Sequence, residues 1–292
     1  ILFAGSLLLT VSCKKKEEKS AVIAKEELVK FDSTNIPTFI AKYPEFKEFE
    51  GELKEVYRKR NYHYVWYDKD GRIDFAEVLY NRINQIKNDG VQAEMPYRKQ
   101  IDELFDQRES KKAGPESDFL VSSMYFFYTK NVLQGLDAEK SKQTGWFLPR
   151  ENVSYVDYLD ELLKDPYSIK KDQGELIGQY YNLKKALNKF RAIQKAGSWG
   201  AIQLPQGVKS LKVGDSSTAV AQIRKKLFLI GDLKNDSKKT IFDEDLKEAL
   251  TQYESRHHRK FDNKIGPAMV ANLNVSIEDR IKTIIVNMER CR

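Results

Sequence analysis

Apolar residues recur at helical spacing along most of the chain, and this pattern predicts a mainly α-helical protein. Asp74 stands where it would cap a helix whose apolar face extends to Ile86, just before Gly90. Asp118 stands where it would cap a helix over 119–133 that is apolar on nearly every side. We predict that this helix is the centre of the first core.

The rest of the chain also has helical spacing, with one long helix followed by shorter ones. A long amphipathic helix is predicted over 176–193, and Gly, Pro and Gln then dominate 197–207, which indicates a domain boundary. Shorter helices follow, with Asp243 and Ser276 at cap positions. The predicted units are a helical domain over 29–197, a small three-helix module over 207–275 and a last helix over 276–292. That helix is still regular at its end, so we expect a further domain to follow it.

The amino-terminal residues 1–13 are the longest uncharged run and end at Cys13. The run is too short to span a bilayer and has the apolar core of a secretory signal, whose first residues we expect to precede Ile1. Because it ends on a cysteine and turns at once into charged residues, it resembles a bacterial lipoprotein signal. This implies that Cys13 is acylated, with residues 14–28 as a solvated tether. The alternative is an unmodified cysteine after an ordinary signal.

Composition excludes several classes of protein. The chain has 292 residues, of which 41% are hydrophobic, enough for two cores, and its two cysteines cannot build a disulfide scaffold. Export excludes nucleic acid as the partner for the net charge of +7. The sequence has no carboxylate pair typical of glycosidases, no nucleophile elbow and no Gly-rich phosphate loop. We therefore predict no catalytic residue, no metal site and no cofactor in this chain.

A set of residues in the last third resembles the peptidoglycan-binding-like three-helix module of cell-wall enzymes. The set is Leu211, Gly214, Val220, Leu227, Phe242, Tyr253 to His257, Ile265 to Pro267, Leu273 and Asn274. The sequence departs from that pattern at two positions. Asn263 follows Asp262 where the module usually has glycine, and His258 stands where glycine commonly follows the histidine.

The flanking residues resemble one class of L,D-transpeptidases, the large scaffold-bearing enzymes of Gram-negative bacteria. They are Tyr57, Arg60, Tyr62, Trp66, Asp89 to Val91, Pro96, Tyr97, Phe190, Arg191, Gly197 to Trp199, Leu204, Pro205, Arg280 and Asn287 to Arg290. In that family the chemistry belongs to a following domain with a histidine and a Ser-His-Gly-Cys-x-Arg motif, which is not in this sequence. Cys291 lacks the preceding His and Gly, so we do not expect it to be a nucleophile.

The resemblance implies the non-catalytic, amino-terminal portion of a transferase that cross-links peptidoglycan. Its scaffold domain and module would hold the enzyme against the cell wall, lipid-anchored and facing the periplasm. Its partners would be peptidoglycan and, through the lipid anchor, the membrane. One alternative is a stand-alone peptidoglycan-binding envelope lipoprotein without activity. A weaker one is a helical lipoprotein that binds another protein and whose module has lost affinity for the wall.

Four residues are candidates for contact with peptidoglycan: Trp199, Arg256, His257 and Asp262. Trp66, Trp146 and Trp199 either stack on sugar faces or pack inside, and the neighbouring Gly and Ser favour Trp199 as the one that faces a groove. His257 and His258 point about 100° apart on a helix and cannot chelate one metal together. His63 has no second ligand at metal spacing. Residues 201–292 carry 17 Lys and Arg against 12 Asp and Glu, a balance that would attract stem-peptide carboxylates.

Overall fold

The computed structural model describes residues 31–106, 114–143, 145, 153–164 and 176–292. Within these ranges the protein is mainly α-helical, as the periodicity predicts. The predicted signal with Cys13, the whole predicted tether and Trp146 lie outside them. No helix of the described ranges combines the length and the apolar character needed to cross a bilayer.

The helices follow one another as α1 (Asn35–Lys42), α2 (Glu50–Lys59), α3 (Asp74–Asn84), α4 (Arg98–Asp106), α5 (Pro115–Tyr128), α6 (Ala138–Gln143), α7 (Tyr155–Lys164), α8 (Gly178–Lys195), α9 (Thr218–Ile230), α10 (Glu244–Arg256), α11 (Pro267–Leu273) and α12 (Ile277–Arg290). Single 3-10 segments cover Pro44–Phe49 and Ile86–Asp89, and α5 runs on into a π-helical segment, Thr129–Gln134. Two short strands, β1 (Tyr67–Asp68) and β2 (Gly71–Arg72), form an antiparallel hairpin in which Tyr67 is opposite Arg72.

Residues 31–164, here called the large lobe, are built around α5. Every residue from Asp118 to Tyr128 is buried, which agrees with a helix that is apolar nearly all round. Helices α1, α2, α3 and α4 pack against it, and one apolar cluster continues from Ile36 to Leu162. The core is rich in aromatic rings; Phe119, for example, meets Phe39 and Tyr57 edge to face.

Asp118 is not the helix cap that the sequence predicts. Helix α5 begins at Pro115 after Gly114, so Asp118 lies inside it with its carboxylate fully buried. That carboxylate accepts hydrogen bonds from the Trp66 amide at 2.8 Å, the Val65 amide at 3.1 Å and the Tyr57 hydroxyl at 2.5 Å. Burial nevertheless raises its pKa to about 6, because the charged form has lost its hydration. Similarly, Asp74 is the first residue of α3 and not its cap.

Residues 202–273, here called the small module, have their own core. Helices α9, α10 and α11 enclose an apolar cluster that includes Val220, Leu250 and Leu273. Two isolated antiparallel bridges, Leu211 with Ile265 and Ser216 with Ile241, tie the connecting loops together. The predicted cap Asp243 accepts a hydrogen bond from the Leu246 amide at 3.1 Å, as its position suggests.

A third core joins these two units. Helix α12 leaves the small module, with Ser276 as its predicted cap, and packs along α8. The shared apolar residues are Tyr180, Leu187, Ile193, Ile277, Ile281 and Met288. The chain therefore passes from the large lobe through α8 into the small module and returns along α12.

Candidate functional site

Trp199 lies where α8 has ended and the small module begins, and its side chain is half-buried. Its indole N–H donates to the Val275 carbonyl at 3.0 Å, just before α12. Two cations lie near the ring: the Lys226 ammonium is 4.5 Å and the Arg280 guanidinium 5.3 Å from its centroid. Tryptophan makes such cation–π contacts better than other side chains.

Lys226 comes from the inner side of α9 and is only 2% exposed. Its ammonium donates to the Leu273 carbonyl at 2.8 Å and to Asn274 Oδ1 at 3.1 Å, both uncharged acceptors. Loss of hydration, together with the nearby Arg280 charge, lowers the pKa of Lys226 to about 8. Sequence reasoning missed this residue, although a lysine three positions after the core residue Ile223 stands on the apolar face of the helix.

Arg280 approaches the same place from α12. One guanidinium nitrogen, Nη2, donates to the Asn272 carbonyl at 2.7 Å and lies 3.5 Å from the Tyr253 hydroxyl. Its Nε is buried without a hydrogen-bond partner. Neither Lys226 nor Arg280 forms an ion pair with a carboxylate within the described residues. We call Trp199, Lys226, Asn274 and Arg280 the junction.

A cavity of about 370 Å³ opens beside the junction. Its wall includes Trp199, Lys226 and Asn274 from the junction and Ser276 and Ile277 from the start of α12. Glu278 lines its outer side, and there the Gln194 amide donates to Glu278 Oε1 at 3.0 Å. The cavity therefore has a buried cationic end and an exposed acidic end.

The other three candidate residues lie at the end of α10 and in the loop after it. Arg256 is exposed and donates to the nearly buried Asp232 carboxylate at 2.5 Å. His257 ends α10, with Nδ1 2.7 Å from the Tyr253 carbonyl oxygen and its ring against the Tyr253 ring. Asp262 accepts from the Lys264 amide at 3.1 Å in a local turn.

These three residues do not converge on Trp199. Tyr253 is the link between the two groups, because its ring contacts His257 while its hydroxyl faces Arg280. Since Arg256, His257 and Asp262 are each engaged by neighbours within the small module, their role in binding stays a prediction. Among the described residues, no group of three or more His, Cys, Asp or Glu is placed to hold a metal ion.

The two departures from the module pattern have a clear structural counterpart. His258 and Asn263 both adopt left-handed backbone conformations, with φ of 54° and 61°. Glycine reaches this region without strain, and asparagine tolerates it better than most residues. The backbone at both positions therefore keeps the shape for which glycine would be the usual choice.

The remaining residues singled out by the sequence are structural. Trp66 is fully buried and donates from its indole to Ser122 Oγ at 2.8 Å, so it packs inside. His63 Nδ1 lies 2.7 Å from the Arg60 carbonyl oxygen. Cys291 follows α12, and partial burial raises the pKa of its thiol, the opposite of what activates a nucleophile.

The end of α12 is held by the large lobe. The Arg292 side chain is 1% exposed; its Nε donates to the Val132 carbonyl at 3.1 Å, and its other nitrogens reach the Asp89 carbonyl and Glu289. Glu289 in turn accepts from the Leu136 amide at 2.6 Å. Asp89 is buried and accepts from the Tyr180 hydroxyl and from Lys184. These contacts fasten α8 and α12 to the lobe together.

Comparison with known families bears on the large lobe and on α8. Residues 51–187 match the Scaffold domain family. This match agrees with the scaffold domain that the resemblance to L,D-transpeptidases implies, and it ends within α8. No curated protein matches the chain. The Scaffold domain match covers the residues that donate hydrogen bonds to Asp118 and, except for α12, those that hold Arg292.

Proposed function

We propose that this chain is the non-catalytic, positioning part of a cell-wall L,D-transpeptidase. The observation that carries the proposal is the Scaffold domain match over 51–187, followed in the chain by a compact three-helix module. The resemblance of that module to peptidoglycan-binding-like domains suggests the wall as its partner. The cationic junction and the positive balance of residues 201–292 are compatible with a ligand that carries carboxylates.

The anchoring of α12 supports a positioning role. Two partly buried hydrogen bonds, from Arg292 Nε to the Val132 carbonyl and from the Leu136 amide to Glu289, hold the end of this helix at a defined place. A catalytic domain attached there would start from a rigid base and not from a flexible linker. Acylation of Cys13 would keep the assembly at the membrane, where tethering raises the effective concentration near the wall.

Co-sedimentation with purified sacculi tests wall binding. We expect the full chain to sediment with sacculi and to be released by high salt, because exposed charges would contribute to the contact. A chain that stays in the supernatant at low salt contradicts the proposal and favours the helical, protein-binding alternative.

The gene distinguishes the enzyme from the stand-alone binding protein. An open reading frame that continues past Arg292 into a His and a Ser-His-Gly-Cys-x-Arg motif supports the transpeptidase. A stop codon directly after Arg292 supports an envelope lipoprotein without activity, for which the module alone supplies the function. Mass spectrometry of the natural protein tests acylation of Cys13, and Cys13→Ser should release the protein from membranes.

A further inference from the structure

Three fully or partly buried cations of the described residues have a carboxylate partner. Arg224 in the small module forms an ion pair with Asp243. Lys184 on α8 forms one with Asp89, and Arg292 after α12 forms one with Glu289. Lys226 is as deeply buried as Arg224, yet within the described residues it has only a carbonyl, an amide oxygen and an aromatic face. Lys226 therefore lacks the carboxylate that these three cations have.

A buried cation without an anion is energetically unfavourable. Moving an ammonium out of water costs several kcal/mol even after hydrogen bonds to neutral groups have formed. A second cation, Arg280, also lies near the Trp199 ring and adds to the positive potential instead of cancelling it. The buried, unpartnered Nε of Arg280 is a further donor without an acceptor.

The cavity gives an anion a route to this charge. Lys226 lines it, and so do the first residues of α12, a helix of 14 residues whose positive dipole end adds to the attraction. About 370 Å³ is at the small end of the range for small-molecule sites, so the ligand group must be compact.

The acidic end of the cavity defines the rest of the ligand. Glu278 is exposed, and a ligand with negative charge at both ends would be repelled there. A peptide end has the complementary arrangement, with a terminal carboxylate and, on the same residue, an amide N–H that can donate to Glu278. Chloride and sulfate have no such donor next to their charge.

We propose that the cavity beside the junction binds the terminal carboxylate of a short peptide, with Lys226 as the cation that holds it and Glu278 as the acceptor for the neighbouring amide. Identification of that peptide with a peptidoglycan stem rests on the proposed function. Carboxylate binding itself does not, since it follows from the buried charge and the cavity.

Titration of the full chain with N-acetyl-D-alanine, followed by calorimetry, tests the site. We expect binding, at least about tenfold weaker binding of the matching carboxamide, and a loss of at least about tenfold in Lys226→Met, which removes the charge but keeps the length of the side chain. The matched control is Lys225→Met, the exposed neighbour on α9, which should bind like the natural protein. Lys226→Arg should retain part of the affinity.

A measurement on the unaltered protein guards against misfolded variants. The Trp199 indole N–H resonance, assigned by its disappearance in Trp199→Phe, should shift on addition of N-acetyl-D-alanine and not on addition of the carboxamide. Equal affinity for acid and carboxamide, or equal losses in Lys225→Met and Lys226→Met, would overturn the site. Phosphate that binds as tightly as N-acetyl-D-alanine would overturn the assignment to a peptide end.

Sacculus co-sedimentation of the same variants separates this inference from the proposed function. If N-acetyl-D-alanine binds through Lys226 while the chain does not sediment with sacculi, the carboxylate site stands and the wall-binding proposal fails. If the chain sediments but neither Lys226→Met nor N-acetyl-D-alanine changes the sedimented fraction, the wall-binding proposal stands and the identification of the bound peptide with a peptidoglycan stem is wrong.

Discussion

The large lobe and the small module each bury a charge without a direct ion-pair partner, and they do so differently. Asp118 in the large lobe is fully buried, and its carboxylate accepts hydrogen bonds from Tyr57, Val65 and Trp66. Lys226 in the small module has two neutral acceptors and lies against a cavity. The first arrangement organises a core, whereas the second leaves a charge available to a ligand.

Replacement of the enclosed carboxylate should have the largest effect. Asp118→Ala leaves the buried Val65 and Trp66 amides without their acceptor, so we expect a loss of about 4 kcal/mol in the free energy of unfolding. Urea denaturation measures it. Asp106→Ala, on the exposed end of α4, is the control and should change the free energy by less than about 0.5 kcal/mol. Similar values for the two variants would show that the Asp118 network contributes little.

The two buried charges should also give opposite pH dependences. The pKa of Asp118 is raised from 3.8 to about 6, so the folded state holds its proton more tightly, and this contribution to stability is lost as pH rises through that interval. The pKa of Lys226 is lowered from 10.5 to about 8, so the folded state holds its proton less tightly, and stability increases as pH rises from 8 to 10.5. Each contribution should approach ~3 kcal/mol.

The measurement is the free energy of unfolding against pH, taken as the difference between the natural protein and one variant. Asp118→Asn should remove the change in stability between pH 3.8 and about 6 and leave the change between pH 8 and 10.5. Lys226→Met should do the reverse. Other titrating groups cancel in these differences. A curve parallel to that of the natural protein for either variant would contradict the assignment of that slope.

An intermediate effect is expected where α12 meets the large lobe. Gly135 has φ of +66°, and a Cβ there would lie 2.5 Å from Glu289 Oε1 and 2.9 Å from Arg292 Cβ. Gly135→Ala should therefore cost about 2–3 kcal/mol, from left-handed strain and the displaced Glu289. Gly207 has φ of +79° with nothing within 4 Å, so Gly207→Ala isolates the strain, at about 1 kcal/mol. Equal thermal unfolding shifts would mean that the contact with α12 is easily rearranged.

The smallest effect should come from the junction tryptophan. Trp199→Phe removes the hydrogen bond to the Val275 carbonyl and weakens the attraction to Lys226 and Arg280, a loss of about 1 kcal/mol. Differential scanning calorimetry measures this loss of stability, with Trp66→Phe as the comparison. Trp66 is fully buried and bonded to Ser122, so its replacement should cost more.

Helices were the predictable part of this protein. Apolar spacing locates α8 and α9, and the caps Asp243 and Ser276 are where an acid or hydroxyl before an apolar run would place them. Such features depend on residues within one or two turns of each other. The local sequence therefore contains the information that places these helices and their caps.

Asp118 shows where local reasoning fails. An acid before an apolar run is typical of a cap, but its acceptors serve Tyr57, Val65 and Trp66, more than 50 residues earlier in the chain. The junction could not be predicted for the same reason, since Lys226 meets Trp199 and Asn274 only when segments far apart in the chain pack together. Burial of a charge at a contact between elements cannot be read from the period of one helix.

The return of α12 along α8 places the entrance and the exit of the small module side by side. Ile202 and Asn274 join them with two hydrogen bonds of 2.9 Å each, through the amide and carbonyl of one and the side-chain amide of the other. A segment inserted between adjacent ends can be exchanged or deleted with little disturbance to its host. The small module is thus a unit that can be replaced during evolution while the helix pair α8 and α12 that receives it persists.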